Sequence, residues 1–179
     1  SKAWKNGETQ EAKNLLGSSY FLSFFLVIPA TVALVTCADE MINVIFEHGQ
    51  FEHTSTLMTA KALRWYAIGL PMYSIYKIFV PTFYAIDRQK IPVLCSIFGI
   101  VVNIIFCVLL TPVYGFEVLA VGTSLSMFLN TYLQGHILKK DLVLPLKTFL
   151  NLRLVKILLC GFLSGALVWW IKGYFQFFE

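Results

Sequence analysis

Five stretches, residues 15–37, 62–86, 92–113, 117–138 and 154–174, are almost continuously apolar and are separated by short polar turns such as DRQK and TPVYG. Each holds the roughly 20 residues that an α-helix needs to cross the hydrocarbon of a bilayer. Inside lipid no water is available to the main chain, so a spanning segment must satisfy its own N–H and C=O groups, as a helix does. The pattern predicts an all-α fold: a polytopic helical membrane protein with five transmembrane helices.

Composition supports this reading. Of 179 residues, 58% are hydrophobic and only 13% charged, whereas soluble domains carry about a quarter charged residues. The net charge of +4 does not point to nucleic acid, because the 14 Lys and Arg residues are scattered between apolar blocks and form no dense basic run. Cys37, Cys95, Cys107 and Cys160 are widely spaced, without a CxxC or a matching histidine spacing, which argues against zinc. His48, His53 and His136 stand alone near span ends. No Ser, His and Asp arrangement, glycine-rich phosphate loop or metal-ligand cluster is present, so an enzyme is the weaker class. The polar residues 1–14 begin at Ser1 without the pattern of a signal peptide. The chain reads as a piece of a longer protein, with the remaining helices as its partners.

Charge also sets an orientation. Ten of the 14 basic residues (Lys2, Lys5, Lys13, Arg88, Lys90, Lys139, Lys140, Lys147, Arg153 and Lys156) fall on one set of alternating sides; Lys61, Arg64 and Lys172 fall on the other, and Lys77 lies within a span. The positive-inside rule then puts segment 1–14 and the 139–153 connection in the cytoplasm and the C-terminal end outside. Residues 39–53 place Met41, Val44, Ile45 and His48 at helical spacing, which suits a short helix at the external interface or an ordered loop. Residues 139–153 mix basic and apolar positions around Pro145, which suits a surface segment near anionic headgroups or, again, an ordered loop.

Polar side chains inside apolar spans are costly and tend to face a bundle interior or a water-filled cavity. In the second span Tyr66, Tyr73, Lys77 and Tyr84 follow at steps of seven, four and seven, and so share one helix face, with Lys77 expected near mid-span between Pro71 and Pro81. A lysine there lines an aqueous path for an anionic substrate, is held in a structural ion pair, or snorkels to an interface, the hardest of the three from mid-span. Lys77, Tyr73 and Tyr84 are the candidate cavity residues. In the third span Ser96, Gly99, Asn103 and Cys107 form one stripe, and in the fourth Gly122, Ser126 and Asn130 form another, with Thr123 beside it. Small residues at this spacing let helices approach closely, and the amides and hydroxyls can bond across the contact. Asn103 and Thr123 could also contribute oxygens to a small hard cation such as sodium.

The segments VIFEHGQF, ALRWYAIGLP, FVPTFYAIDRQKIPV, VVNIIF and YGFEVLAVGTSLSMFLN, in that order and spacing, resemble the MurJ (MviN) family of lipid II flippases, within the multidrug/oligosaccharidyl-lipid/polysaccharide exporter superfamily. The most telling pieces are Phe83, Tyr84 and Ala85 followed by Pro92, and the block from Gly115 to Asn130 with its Ala-x-Gly-Thr-Ser centre. The resemblance implies a larger two-lobe transporter in the bacterial inner membrane. Spans 15–37, 62–86, 92–113 and 117–138 would belong to the C-terminal lobe, and span 154–174 would be an additional peripheral helix. It implies alternating access around a cationic cavity that takes lipid II, a lipid-linked peptidoglycan precursor. Some members carry a sodium site built from an Asn and an Asp on one helix and a Thr on the next; Asn103 and Thr123 match two of these, and Cys107 stands where the Asp would be. His48 likewise departs from an arginine usual before the glycine. The remaining readings are an exporter of another polyprenyl-linked glycan or of a small cation, or a membrane scaffold that transports nothing.

Overall fold

Apolar side chains with few β-branched runs, and prolines no closer than ten residues apart within a stretch, favour long helices, and helices are what form. The computed structural model describes residues 9–46, 53–142 and 152–176. They make six helices: α1 (Thr9–Thr36), α2 (Ala38–Phe46), α3 (His53–Ala85), α4 (Lys90–Tyr114), α5 (Glu117–Leu142) and α6 (Leu152–Gln176). All but α2 have 25 to 33 residues, enough at about 1.5 Å per residue to cross a bilayer. Their compositions differ. Asn14–Thr36 in α1 and Lys90–Tyr114 in α4 are long and apolar enough to cross a membrane, and α6 holds a shorter apolar stretch, Val155–Val168. The helices α3 and α5 carry charged and amide side chains within their length.

Three span boundaries differ from the sequence expectation by four residues or more, one of them the start of α1 at Thr9 in place of residue 15. Helix α3 begins at His53, nine residues before the expected span, because its first turns have a partner: Ala60 is fully buried against Ala38 and Ile42 of α2, with Leu63 alongside. Helix α5 continues to Leu142, so the expected 139–153 segment starts as helix; residues 143–151 lie outside the described residues, as do 1–8 and 47–52, which include His48.

The packing order is α6, α1, α3, α5, α4, with α2 lying on α3 and touching α1. Contact pairs give the directions. Ser124 Oγ donates to the Trp65 carbonyl (2.6 Å) and Thr131 Oγ1 to the Met72 carbonyl (3.2 Å), two bonds with the same sequence separation of 59, so α3 and α5 run parallel. A side-chain carbon on Gly69 would come within 2.8 Å of Ser124 Oγ, which is why this contact can close. Between α4 and α5 the pairs run oppositely, Ser96 with Asn130 and Asn103 with Gly122, so these neighbours are antiparallel. The main apolar core joins Phe24 and Ile28 of α1, Ile75, Phe79 and Phe83 of α3, and Leu138 of α5.

Helix α6 is held differently. Gly161 faces Ile28 and Gly165 faces Val32, again at a constant separation, so α6 runs parallel to α1. The Gly-x-x-x-Gly spacing removes two side chains from one stripe and lets the branched residues of α1 approach the α6 backbone, the small-residue mode of association in lipid. Gly165→Leu is expected to lower the melting temperature of the detergent-purified full-length protein, since the added side chain has no room and overpacking costs about 1–3 kcal/mol. Leu163→Ala, on the exposed side of the same helix, is expected to leave it unchanged.

Candidate functional site

Helix α3 packs mainly against three neighbours, and besides an exposed apolar strip of Leu57, Met58, Trp65 and Ile68 it has one open polar face. The Trp65 carbonyl, Gly69 and Met72 face α5; Ile75, Phe79 and Phe83 enter the apolar core; Ala60 and Leu63 meet α2. Tyr66, Tyr73, Lys77 and Tyr84 lie together on what remains, and all four are exposed. The Lys77 ammonium sits 5.0 Å from the centre of the Tyr73 ring, a cation–π contact. Tyr73 in turn stacks on Tyr76, with ring centres 6.2 Å apart. Lys77 makes no ion pair with a carboxylate among the described residues.

Lys77 is eight residues short of Ala85, roughly 12 Å along the helix. It therefore lies in the last third of α3 and not at its middle, because the helix gains length at its other end. Pro81 stands one turn further on. Lacking an N–H, it cannot donate to the Lys77 carbonyl, so one bond of the helical ladder is missing beside the cation.

The α4–α5 seam brings the second group of candidates together. Cys107 Sγ donates to Asn103 Oδ1 at 3.3 Å, and both lie over Gly122, where an added side-chain carbon would come within 2.6 Å of the Asn103 oxygen. Thr123, the next residue, turns its hydroxyl to the Leu119 carbonyl of its own helix at 2.7 Å. A sodium ion fits this set poorly. The Asn103 oxygen already accepts the thiol proton, no carboxylate is present, and sulfur is a soft donor where sodium needs hard oxygen.

Further along the seam, Asn130 Nδ2 donates to Ser96 Oγ (3.2 Å), and Gln134 Nε2 donates to Asn130 Oδ1 (2.7 Å). Gln134 has no exposure at all, and its Oε1 has no partner among the described residues. The sequence reading stopped at Asn130, although Gln134 continues the same four-residue step. It also missed the two ion pairs at the opposite end. Asp39 pairs with Arg64, whose Nε reaches the Val35 carbonyl at 3.2 Å, and Lys61 pairs with Glu117 at 3.4 Å. The residues in these pairs are 25 and 56 positions apart, so no local spacing announces them.

The profile of the lipid II flippase MurJ family matches residues 1–179. A probable lipid II flippase MurJ from Rickettsia prowazekii (strain Madrid E) is 30% identical over 175 residues, 98% of this chain and 34% of the relative. Another from Buchnera aphidicola subsp. Acyrthosiphon pisum (strain APS) is 32% identical over 141 residues, 79% of this chain and 27% of the relative. A solved structure of a lipid II flippase MurJ in an inward closed conformation superposes with a TM-score of 0.68 at 27% identity, covering 96% of this chain and 41% of that one. The chain thus spans about a third of the length of the curated relatives.

The amide chain gives a test of the seam. Asn130→Leu leaves both ends of the Gln134 amide unpartnered in a dry contact and is expected to cost about 1–3 kcal/mol of stability. Adding Gln134→Leu removes the stranded group, and the double variant is expected to melt above Asn130→Leu alone, read by thermal unfolding of the purified full-length protein.

Proposed function

The chain belongs to the MurJ family of lipid II flippases, and from that premise we propose that it forms part of the C-terminal lobe of a protein that flips lipid II across the bacterial inner membrane by alternating access. The observation that supports this most is the open face of α3. A cation with no carboxylate partner among the described residues stands in a row of exposed tyrosines on a helix that packs against α1, α2 and α5.

In this reading Lys77 and the tyrosine face line the aqueous cavity opposite the other lobe. The substrate carries a diphosphate between its lipid and its sugars, and an ammonium in a cavity of low dielectric attracts that charge strongly. The Tyr73 ring holds the Lys77 head in place without neutralising it, as a carboxylate would. Tyr73 and Tyr84 present hydroxyls and ring faces of the kind that meet sugars. The side that carries Lys77's end of α3 is cytoplasmic, following the placement of the basic residues. Chemistry of this kind binds and releases; it breaks no bond.

Sodium is not part of the proposal. The Asn103, Cys107 and Thr123 group acts as helix packing, so sodium in place of potassium is expected to leave the melting temperature of the full-length protein unchanged. Cys107→Asp would supply the missing carboxylate, and a sodium-dependent rise in that variant is the expected contrast.

The cavity role is tested in cells depleted of the native protein and supplied with full-length variants. Lys77→Glu is expected to reduce lipid II delivery to the outer leaflet by about tenfold or more at normal membrane abundance, the cost of roughly 1.4 kcal/mol or more in substrate binding, while Lys77→Arg retains delivery. Normal delivery by Lys77→Glu would mean that Lys77 is not in the substrate path. Normal leaflet distribution of lipid II after depletion of the protein itself would point instead to another polyprenyl-linked glycan or to a scaffold.

A further inference from the structure

Helix α2 starts two residues after the end of α1 and has nine residues. Around its circumference three sectors alternate. Ala38 and Ile42 are buried on Ala60 and Leu63 of α3. Asp39, Glu40 and Asn43 make a polar sector. Met41, Val44 and Ile45 form a third sector that is apolar and covered by nothing among the described residues, with exposures of 38%, 73% and 59%.

The surroundings show where in a membrane this helix stands. Asp39 at its first turn pairs with Arg64, which also holds the Val35 carbonyl at the end of α1. One turn away along α3, Lys61 pairs with Glu117 at the start of α5. Trp65, next to Arg64, is exposed, and so are Tyr114 at the end of α4 and Phe116 in the turn leading to Glu117. Ion pairs mixed with outward-facing aromatic rings, at the common end of α1, α3, α4 and α5, are the residues that mark a boundary between hydrocarbon and water. The helix α2 lies at that level.

We propose that α2 is seated in the bilayer interface at this boundary, with Met41, Val44 and Ile45 among the upper acyl chains and the Asp39, Glu40 and Asn43 sector toward headgroups and water. Three features select lipid as the occupant: the apolar sector, its direct continuation from a helix long and apolar enough to cross a membrane with Leu22, Phe25 and Leu26 exposed, and its position in the aromatic and charged belt. An amphipathic helix in such a position binds through its buried apolar area. Here the Asp39–Arg64–Val35 brace transmits that binding to α1 and α3. The depth at which α2 rests then sets the height of α3, and with it the height of Lys77, relative to the membrane.

The test uses the full-length protein with its native cysteines replaced, single cysteines at positions 43, 44 or 45 labelled with bimane, and vesicles of phosphatidylethanolamine and phosphatidylglycerol. All three positions are exposed, so the label displaces no packing, and each labelled variant is checked for a monodisperse elution and an unchanged melting temperature. Lipids brominated near the headgroup end of the acyl chain are expected to quench labels at positions 44 and 45 at least about twofold more than the label at position 43, and more than lipids brominated near the chain centre do. Red-shifted emission at positions 44 and 45, quenched by aqueous iodide and not by bromolipid, would overturn the proposal by placing the helix in water. Blue-shifted emission that neither agent quenches would overturn it by showing another protein segment on this face.

Discussion

Any polar group that these helices carry into hydrocarbon must find its partner inside the protein, because lipid offers none. That requirement accounts for the division of labour seen here. Helices α1 and α4 are apolar enough to face lipid, while α3, which holds Lys61, Arg64 and Lys77, and α5, which holds Asn130 and Gln134, pack against each other. Their contact is made where side-chain hydroxyls of α5 reach main-chain carbonyls of α3, at Trp65 and Met72. Such bonds are modest individually in a membrane, averaging about 0.6 kcal/mol. Their larger effect is on register, since Ser124 and Thr131 are seven residues apart and so are their acceptors. A shift of α5 by a single residue would strand both hydroxyls.

The same requirement makes the open face of α3 informative. A helix that satisfies its polar groups against α1, α2 and α5 nevertheless presents three tyrosines and a lysine outward. Were that face toward lipid, the Lys77 ammonium would be an unpaired charge in hydrocarbon. A wet surface opposite the rest of a larger transporter removes the conflict, and it agrees with a chain that spans about a third of its relatives.

Much of this was legible in the sequence, and what was not has physical reasons. The helices followed from apolar runs of spanning length, and the shared face of Tyr66, Tyr73, Lys77 and Tyr84 from helical periodicity. The stripes Ser96–Gly99–Asn103–Cys107 and Gly122–Ser126–Asn130 already showed which sides of α4 and α5 would meet. Two things depended on tertiary partners and so escaped. The early start of α3 at His53 rests on its contact with α2, and polar residues there read as loop until Ala38 and Ile42 are in place. The place of Asn103 and Thr123 turned on hydrogen-bond direction: a Thr hydroxyl returned to its own backbone and a thiol proton on an amide oxygen are invisible to residue spacing. Gln134, by contrast, lay one helical step beyond a stripe already recognised.

The contrast between α1 and α3 also bears on how the chain enters the membrane. Charges carried into a spanning helix make its insertion costlier, and α3 contains Lys77 together with two prolines, besides Lys61 and Arg64 near its start. Left to partition as an isolated segment, it would be a poor candidate for release from the translocon into lipid. The surface of α1 that carries Phe24 and Ile28, and the main-chain carbonyl of Val35 that receives Arg64, are synthesised first. Helix α1 thus offers a greasy wall and a charge acceptor before α3 emerges. The later arrival of α5 supplies a second wall. Topology in this chain is completed by neighbours helping one another out of the channel, and not by each helix deciding alone.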